Sequence, residues 1–457
     1  MPGTFHGINI ASSALRAFQR AMETTGHNLA NVNTRGYSRQ RLDTTAFEPM
    51  SLWAGQMYSL GTGVQIESIS RSREMFLESR YQSANGNLMR YSTYNQGISQ
   101  LESVYREPGE SGISDAMNKM FDAFSGLASN PNDPTARTTV RNAANIFAQR
   151  VRTAYSEMRA MSDQVTEEIQ STFTQINQIG QQIATLNGQI RAATASGGSP
   201  NDLLDQRDLL LRDLSTLTNV TTSTQPDGTI NVFASNFPLV TNDHFRPFPT
   251  SIDAATMTVS DGSTSYPVRG GVLMGQLQTL NRVAQAQTEL DTLANNMRTQ
   301  FNALHQTGTD AAGNIGSFFF NDGQTGAINF DLDAAIKSDP SKIFAGTTGY
   351  DGDGGLALAM SQLRDMKLAA LGDRTFAQYY NASVSGVAND ISQAEAQMET
   401  FDSILNQISA QSESISGVNM DEEMSDLMRY QRSYQAAARV LTILDQTTED
   451  IINMMNR

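Results

Sequence analysis

The feature that most constrains the fold is an unbroken run of about sixty residues with the period of an α-helix. From residue 136 to residue 195, apolar side chains recur every three or four positions, which places them on one helix face. Pro134 precedes this run, and Ser-Gly-Gly-Ser-Pro at residues 196–200 closes it. At 1.5 Å per residue such a helix is about 90 Å long, so the sequence predicts an elongated rod.

The chain also begins with an amphipathic helix that carries a single apolar stripe. The stripe advances in alternating steps of three and four residues, a heptad pattern that favours pairing with another helix. Three asparagines, a glycine and a tyrosine lie where this helix is expected to end, and Asn and Gly tolerate the left-handed conformation found at helix ends. The stripe positions are Ile8, Ala11, Leu15, Phe18, Met22, Thr25, Leu29 and Val32, and the end motif is Asn28, Asn31, Asn33, Gly36 and Tyr37.

The last forty residues repeat this arrangement. Asp421, Glu422 and Glu423 stand where the helix is expected to begin, and carboxylates stabilise a helix N-terminus. A stripe with the same alternation follows, again with one threonine. Its positions are Leu427, Tyr430, Tyr434, Ala437, Leu441, Leu444, Thr448, Ile451 and Met455.

Two helices with one stripe each form only a marginal unit by themselves. Ordering them costs backbone entropy, and pairing the two stripes leaves their flanks in water. We therefore expect neighbouring copies of the chain to cover those flanks. The alternative is a self-sufficient bundle in which the terminal helices pack on interior helices of the same chain.

The asparagines at the end of the first helix allow two interpretations. Their amides both donate and accept hydrogen bonds, so they are suited to contacts across subunit boundaries. They also favour a local helix end that redirects the chain into a strand near Arg39 to Leu42. Under the first interpretation, Asn31→Ala weakens assembly but spares the monomer.

The interior alternates helical segments with one β-like region. Residues 219–268 are rich in Thr, Val, Gly and Pro, and their Asp-Gly pairs at 227–228 and 261–262 are typical of hairpin turns. Residues 306–355 form a second glycine-rich stretch that is a candidate for a further β lobe. Helices are predicted near residues 71–106, 113–128, 202–218, 270–305, 356–371 and 374–416. The fold class is therefore mainly α with a small β-rich insertion.

Charge and composition exclude several kinds of partner. The chain of 457 residues has a formal net charge of −15 and no basic patch, so a nucleic-acid partner is not expected. It contains no cysteine, which excludes disulfides and thiolate metal sites. No stretch approaches the roughly 20 apolar residues that cross a bilayer, and the N-terminus does not have the pattern of a cleaved secretion signal. Membrane insertion is therefore not expected.

No pattern in the sequence points to catalysis, a cofactor or a metal. His6, His27, His244 and His305 do not occur at metal-ligand spacing. The glycine- and aspartate-rich residues 349–355 lack the later glutamate of a calcium loop, which favours a plain turn. We find no nucleophile elbow, P-loop or dinucleotide fingerprint. The sequence therefore predicts a protein that is not an enzyme.

Both chain ends resemble the flagellar rod, hook and hook-associated proteins. The first end carries ASSALRAFQRAMETTGHNLANVNTRGYSRQR and the second VNMDEEMSDLMRYQRSYQAAARVLTILDQTTEDIINM. The interior sequences GTGVQIESISRSREMFLESR, SPNDLLDQRDLLLRDLS and GGVLMGQLQTLNRVAQAQTEL are similar to hook-associated members that form the hook–filament junction. The similarity weakens in residues 219–265 and 306–355.

The resemblance implies an extracellular structural role in the flagellum. It implies that copies of the chain form a layer at the hook–filament junction, in contact with the hook protein and with the second junction protein, hook-associated protein 3. It further implies secretion by the flagellar type III apparatus without a cleaved signal, and an export chaperone that binds the C-terminal helix.

The resemblance also suggests three domains. Residues 1–35 with 418–457 are expected to form a terminal coiled-coil domain at the inner tube. Residues 36–218, 266–305 and 356–417 are expected to form a helical bundle stalk. The β-rich outer insertion is expected at 219–265, with 306–355 as its candidate second part.

Three other functions stay open from the sequence. A distal rod or hook protein belongs to the same class, but a mainly β middle is expected there, which the long helix at 136–195 disfavours. A flagellar peptidoglycan hydrolase needs a compact catalytic domain, for which residues 219–265 are too few. A protein of membrane surfaces is disfavoured by the acidic charge.

Overall fold

The computed structural model describes all of the chain except residues 1–3, 54–56, 110, 311–312 and 456–457, and only the backbone of residues 4, 51–53, 57–58 and 455. Helix accounts for 64% of the described residues, and the strands are short, so the predicted fold class is confirmed. The helices are α1 (Thr4–Ala30), α2 (Met75–Tyr105), α3 (Ile113–Ser129), α4 (Pro134–Ala195), α5 (Asn201–Leu217), α6 (Gly271–His305), α7 (Ala334–Ser338), α8 (Gly355–Gln362), α9 (Phe376–Ser416) and α10 (Met420–Met455).

The described strands are arranged in four small antiparallel sheets. They are β1 (Gln40–Ala46), β2 (Met50–Trp53), β3 (Met57–Leu60), β4 (Val64–Arg71), β5 (Val220–Thr224), β6 (Ile230–Ala234), β7 (Phe237–Thr241), β8 (His244–Phe245), β9 (Ser251–Asp253), β10 (Thr258–Ser260) and β11 (Ser265–Pro267). The sheet orders are β1-β4, β2-β3, β5-β6-β7-β8 and β11-β10-β9.

The chain divides into two compact units. The first contains residues 1–86, 175–248 and 401–457, and the second contains residues 87–174 and 249–400. In the first unit, β1 pairs with β4 as a ribbon from Gln40↔Arg71 to Ala46↔Val64, and this ribbon packs on α1. In the same unit, β5 to β8 form the four-stranded sheet, whose apolar side chains Val232, Leu239 and Val240 are fully buried.

The second unit has a helical core in which phenylalanines are concentrated. Phe301 of α6 contacts Phe121 and Phe124 of α3, with ring centroids 5.9 and 5.6 Å apart. Phe319 and Phe320, from the chain that follows α6, also pack on Phe301. Aromatic side chains bury large apolar areas, so this cluster is a main source of stability in the unit.

Several boundaries differ from the sequence prediction. The first helix ends at Ala30, so Val32 lies in the following turn. The helix predicted at 356–371 is wrong in its second half, because α8 ends at Gln362 and a 3₁₀ turn follows at Ala369–Leu371. There the backbone of Leu368 bridges to Arg374 and Gly372 adopts a left-handed conformation, which a helix cannot continue through.

The glycine-rich residues 306–355 do not form the predicted β lobe. Within their described part, the structure has α7, a 3₁₀ turn and isolated β-bridges such as Phe320↔Leu332. The segment is held by buried side chains rather than by strand pairing, since Phe319, Phe320 and Phe330 are fully buried. A β-rich structure of this stretch is therefore corrected to an irregular segment anchored by aromatic residues.

Candidate assembly surface

The two terminal helices pack against each other in antiparallel orientation. Asn28, near the end of α1, donates a hydrogen bond to Glu423, near the start of α10, over 3.0 Å. At the other end of the pair, Gly7 lies against Leu444. A Cβ atom on Gly7 would be only 3.0 Å from Leu444 Cδ1, so a glycine at this position permits the close approach of the helices.

The predicted stripe of α1 faces the inside of this arrangement. Ala11 and Thr25 are buried, with 5% of each residue exposed. No stripe residue of α1 is classed as exposed, whereas Phe5, on another face, is. The half-buried positions of the stripe are Ile8, Leu15, Phe18, Met22 and Leu29.

The predicted stripe of α10 is covered only in part. Most of its positions are half-buried, Ile451 is exposed, and the side chain of Met455 lies outside the described residues. A single partner helix covers one side of this stripe and leaves the other open. The half-buried positions are Leu427, Tyr430, Tyr434, Ala437, Leu441, Leu444 and Thr448.

A second set of apolar side chains on α10 is left in solvent, and we call it the uncovered row. Val440 is 49% exposed, Ile443 is 59% exposed and Met454 is 72% exposed. They lie about 100° around the helix from the stripe that faces α1, because residues 440 and 441 differ by one helical step. An exposed apolar row of this length is typical of a contact surface. Its members are Val440, Ile443 and Met454. Ile451 of the stripe and Ile452 are also exposed near the end of the helix, and Met420, Met424 and Met428 are exposed near its start.

Asn28 is the centre of a buried hydrogen-bond network in one chain. Its amide nitrogen donates to the Gln40 carbonyl oxygen at 2.9 Å and to the Glu423 carboxylate at 3.0 Å. Its carbonyl oxygen accepts from the Gln40 backbone N–H at 2.9 Å and from the Tyr37 hydroxyl at 2.7 Å. All four hydrogen-bonding positions of the amide are therefore filled, and α1, β1 and α10 meet at this residue.

The other members of the end motif act locally. Asn31 donates to the His27 carbonyl oxygen at 3.0 Å and accepts from the Thr34 hydroxyl at 3.1 Å. Asn33 is exposed. Gly36 has φ of +83°, the left-handed conformation predicted for the helix end. Within this chain Asn31 makes local hydrogen bonds, while Asn28 bonds to a distant helix of the same chain.

Tyr37 is half-buried beside the Asn28 network. Because its hydroxyl donates to Asn28, it accepts from His27 Nδ1, which lies 3.0 Å away. Burial raises the pKa of the Tyr37 hydroxyl, and the nearby carboxylates of Asp202 and Asp205 raise it further. Tyr37 therefore stays protonated and keeps its donor role at any physiological pH.

Arg39 ties the start of the ribbon to the start of α10. Its guanidinium lies 2.7 Å from Glu423, 3.2 Å from Glu422 and 3.8 Å from Asp426. Its backbone N–H donates to the Ser416 carbonyl oxygen at 3.0 Å. Two of the three acidic residues expected only to favour the helix start, Glu422 and Glu423, thus also bind a specific arginine. Glu423 is 2% exposed, so this pairing is buried on the carboxylate side.

A further ionic network joins the ribbon to α5. Asp205 accepts from the Ser38 backbone N–H at 3.0 Å and from Arg71 at 2.8 Å. Asp208 also binds Arg71, at 2.8 Å, and Arg73, at 3.0 Å. Asp205 and Arg71 lie more than 130 residues apart in sequence. The position of the Arg39 loop relative to α5 is therefore set by charged groups that the periodicity of the sequence could not pair.

The glycine- and aspartate-rich stretch at residues 349–355 makes structural contacts. The carboxylate of Asp353 accepts from the backbone N–H groups of Thr347, Thr348 and Gly355, which is a plain turn. Within the described residues, no group of three or more His, Asp or Glu side chains is placed to hold a metal ion. No described helix combines the length and the hydropathy that crossing a membrane requires.

Comparison with known proteins connects this surface to a family. Residues 8–37 match the family model of flagella basal body rod protein, and residues 410–454 match that of the flagellar basal body rod FlgEFG protein C-terminal part. Residues 98–320 match the model of the flagellar hook-associated protein FlgK helical domain. The chain is 27% identical to flagellar hook-associated protein 1 of Bacillus subtilis, over 100% of this chain and 99% of that protein. The chain is therefore similar to flagellar hook-associated protein 1 along its whole length.

Other proteins named flagellar hook-associated protein 1 are similar to the chain over the same extent. The protein of Salmonella typhimurium is 27% identical over 98% of this chain and 99% of its own length. A solved structure, the flagellar hook junction protein FlgK from Burkholderia pseudomallei, superposes with a TM-score of 0.64, covering 74% of this chain and 100% of that one at 20% identity. That likeness shows a shared fold. The full-length similarity to these relatives supports the coarse assignment of the chain as a structural component of the flagellum.

The spacing of apolar residues predicts the stripes but not their polar connections. Arg39, Asp205 and Arg71 carry no helical period, so the sequence does not show which charged residues they bind. The one available signal was the density of arginines in residues 35–41 and 71–73 beside the acidic residues of α5 and α10. Charges of opposite sign that are placed at the ends of elements often pair, but sequence alone does not say which.

Proposed function

We propose that this chain forms a layer of the junction between hook and filament and assembles with its own copies through α1 and α10. The observation that carries the proposal is the uncovered row of α10. The helix pair buries the facing stripes and leaves Val440, Ile443 and Met454 in solvent. Covering such a row by a neighbouring copy removes apolar area from water, which at about 25 cal/mol per Å² favours assembly.

The wider role follows the family. In this proposal the hook protein lies on one side of the layer and the second junction protein, hook-associated protein 3, on the other. The terminal domain, 1–35 with 418–457, lies at the inner tube, and residues 36–218, 266–305 and 356–417 form the helical stalk. Residues 219–265 form the outer insertion. The protein acts without catalysis, nucleic acid or membrane insertion.

We also propose how the chain is secreted to this extracellular location. The chain is secreted by the flagellar type III apparatus, and an export chaperone covers α10 before secretion. An amphipathic helix with exposed apolar side chains requires such cover in the cytoplasm, since open apolar surfaces aggregate. The absence of cysteine suits export in an unfolded state, because no disulfide has to be reduced first.

Adjacent residues of α10 provide a direct test of the assembly role. Ile443→Asp places a charge in the uncovered row, and we expect a normally folded monomer that is incorporated poorly into hook–filament complexes. Thr442→Asp is the matched control, because Thr442 is exposed, polar and next in sequence. The measurement is the amount of each full-length variant in hook–filament complexes isolated from cells, with thermal unfolding of the purified monomer. Equal incorporation of both variants would contradict the proposal.

The distal rod or hook alternative makes a different prediction about location. Immunogold labelling of isolated flagella should mark a narrow band where the hook meets the filament. Labelling along the hook or rod would support the alternative instead. A muramidase assay on the purified protein addresses the peptidoglycan hydrolase, and we expect no activity.

A further inference from the structure

The two ends of the α1/α10 pair differ in the charged side chains that they expose. Because the helices are antiparallel, one end contains Asn28 and Glu423 and the other contains Gly7 and Leu444. We call the first the cleft end and the second the tip end. Both lie in the first unit, and they are separated by most of the length of α10.

The cleft end encloses a cavity of about 490 Å³ between α1, the β1/β4 ribbon and the start of α10. Five arginines line it, although the chain as a whole has a net charge of −15. Two carboxylates, Glu423 and Asp426, also line it, and both are near Arg39. The apolar and aromatic part of the lining includes Ile415, Leu42 and Tyr430. The arginines are Arg39, Arg41, Arg71, Arg73 and Arg429.

Two of these arginines are available to a partner. The side chain of Arg41 is 79% exposed and that of Arg429 is 65% exposed. Arg41 lies 3.1 Å from Asp43, and Arg429 lies 2.8 Å from Asp426. Exposed ion pairs contribute little to stability, so either arginine can exchange or share its carboxylate at little cost. The remaining three are less exposed and bound by several acids.

The tip end is acidic and apolar. Asp445, Glu449 and Asp450 are the only charged residues between Arg439 and Arg457, and all three carboxylates are exposed. Among the described residues, none of them forms an ion pair. The exposed apolar side chains Ile451, Ile452 and Met454 lie beside them. The negative end of the α10 dipole adds to the acidic character.

We propose that the tip end of one copy docks into the cleft end of the next, with Glu449 and Asp450 bound by Arg41 and Arg429. This inference rests on the proposed function, because it names the contact by which the copies associate. The chemistry of the cleft requires a partner that is both acidic and apolar, and this chain presents such a group at its own tip. The exposed isoleucines of the tip then cover Ile415 and Tyr430 of the cleft.

The two docking surfaces are different, and this determines the type of assembly. A contact between unlike surfaces leaves one tip and one cleft free after each addition. The contact therefore repeats, and it closes into a ring or continues as a helical array according to the rotation between copies. The pairing thus fits a layer built from many copies of one chain.

Charge reversal tests the contact. The full-length double variants Arg41→Glu/Arg429→Glu and Glu449→Arg/Asp450→Arg should each reduce incorporation into isolated hook–filament complexes by about tenfold, since like charges then face each other. The variant that combines all four substitutions should recover incorporation to within about twofold of the unchanged chain. The control reverses Arg159 and Lys367 to Glu, two exposed cations that do not line the cleft.

A cross-link provides a second measurement that does not depend on charge. Because the chain has no cysteine, Arg41→Cys/Glu449→Cys introduces the only two thiols. Oxidation of isolated complexes should produce a ladder of linked chains, and a variant with Arg159→Cys in place of Arg41→Cys should not.

The results separate the contact from the function. Normal incorporation of the first double variant, no recovery in the four-residue variant when it folds, or the absence of a ladder would each overturn the proposed contact. If the unchanged chain itself is absent from hook–filament complexes, the proposed function fails instead.

Discussion

The three asparagines that end α1 illustrate how one residue type takes different roles within six positions. Asn28 is 2% exposed and fills all four of its hydrogen-bonding positions, while Asn31 makes two local bonds and Asn33 is exposed. A buried amide that loses its partners costs more free energy than an exposed one. The motif therefore concentrates its energetic importance in its first residue.

Alanine substitutions of the three asparagines should separate these roles. Asn28→Ala removes one hydrogen-bond partner each from Glu423 and Tyr37 and both Asn28 partners from the Gln40 backbone, and we expect the free energy of unfolding to fall by about 2–4 kcal/mol. Asn31→Ala should cost about 1 kcal/mol or less, and Asn33→Ala should stay within about 0.5 kcal/mol. Urea unfolding of the three full-length variants measures this order. An equal loss for Asn28 and Asn33 would refute the role given to the network.

His305 in the second unit is a buried residue that links three segments of the chain. Its Nδ1–H donates to the Ser317 carbonyl oxygen at 2.5 Å, and its Nε2 accepts from the Phe344 backbone N–H at 3.2 Å. Both bonds require the neutral ring. Burial lowers the pKa of the imidazole below its usual 6.5, although the Ser317 carbonyl and the Asp333 carboxylate act in the opposite direction.

The His305 arrangement predicts loss of stability in acid. The unfolded chain binds a proton at His305 near pH 6.5, while the folded chain does not, so the free energy of unfolding falls as the pH drops below that value. His305→Gln, which cannot be protonated, should reduce the slope of stability against pH between about 7 and 5. His244→Gln, at an exposed residue, serves as the control. An unchanged slope in His305→Gln would contradict the neutral buried ring.

At the scale of elements, α2 and α6 approach each other closely in the second unit. A Cβ atom on Gly275 of α6 would lie 2.5 Å from the Arg90 carbonyl oxygen and 3.0 Å from the Tyr94 backbone nitrogen of α2. A Cβ atom on Gly97 would overlap with the side chain of Thr279. Backbone atoms cannot yield to a methyl group, so the glycine at 275 sets the distance between these helices.

Alanine at Gly275 of α6 and alanine at Gly126 of α3 should change the free energy of unfolding in opposite directions. Gly275→Ala is expected to lower the free energy of unfolding by about 1–3 kcal/mol, because it forces α2 and α6 apart. Gly126→Ala in α3 has no heavy atom within 4 Å of the new methyl group, so it should stabilise by about 0.5–1 kcal/mol through helix propensity. Thermal unfolding of both variants tests the contrast. Similar effects at both sites would mean that the crossing can relax.

Helices were predictable from this sequence because their apolar period is long and regular. The sixty-residue run became α4, and both terminal stripes became helices. The β1/β4 ribbon was mostly missed, since both of its faces are partly exposed and no alternation of apolar residues marks it. The structure of residues 306–355 was not predicted, because the segment is rich in glycine and aspartate. Its fold depends instead on buried phenylalanines.

In the candidate assembly surface, too, features set by local spacing were predictable and contacts between distant residues were not. The stripe residues could be read from spacing alone. The network of Asn28, Glu423 and Arg39 could not, because it joins positions nearly 400 residues apart. The uncovered row also required the structure, since only the orientation of α10 on α1 decides which apolar side chains stay in water.

In the whole molecule, contacts within one chain stabilise the core of the second unit. The terminal helices, in contrast, are expected to bury more apolar surface when neighbouring copies cover them. The core of the second unit buries its phenylalanines within one chain. The α1/α10 pair is half-buried along its stripes and exposed along the uncovered row. Assembly is then favoured by burial of apolar side chains that folding of one copy leaves in solvent.

Hydrogen exchange on residues 4–35 and 418–455 tests this central claim most directly, with the full-length protein measured both as a dilute monomer and in isolated hook–filament complexes. We expect these residues to exchange faster than α6 in the monomer, because their apolar flanks lie in solvent, and to become strongly protected in the complexes, while α6 stays protected in both states. Full protection of both terminal helices in the dilute monomer, with no further change in the complexes, would contradict it.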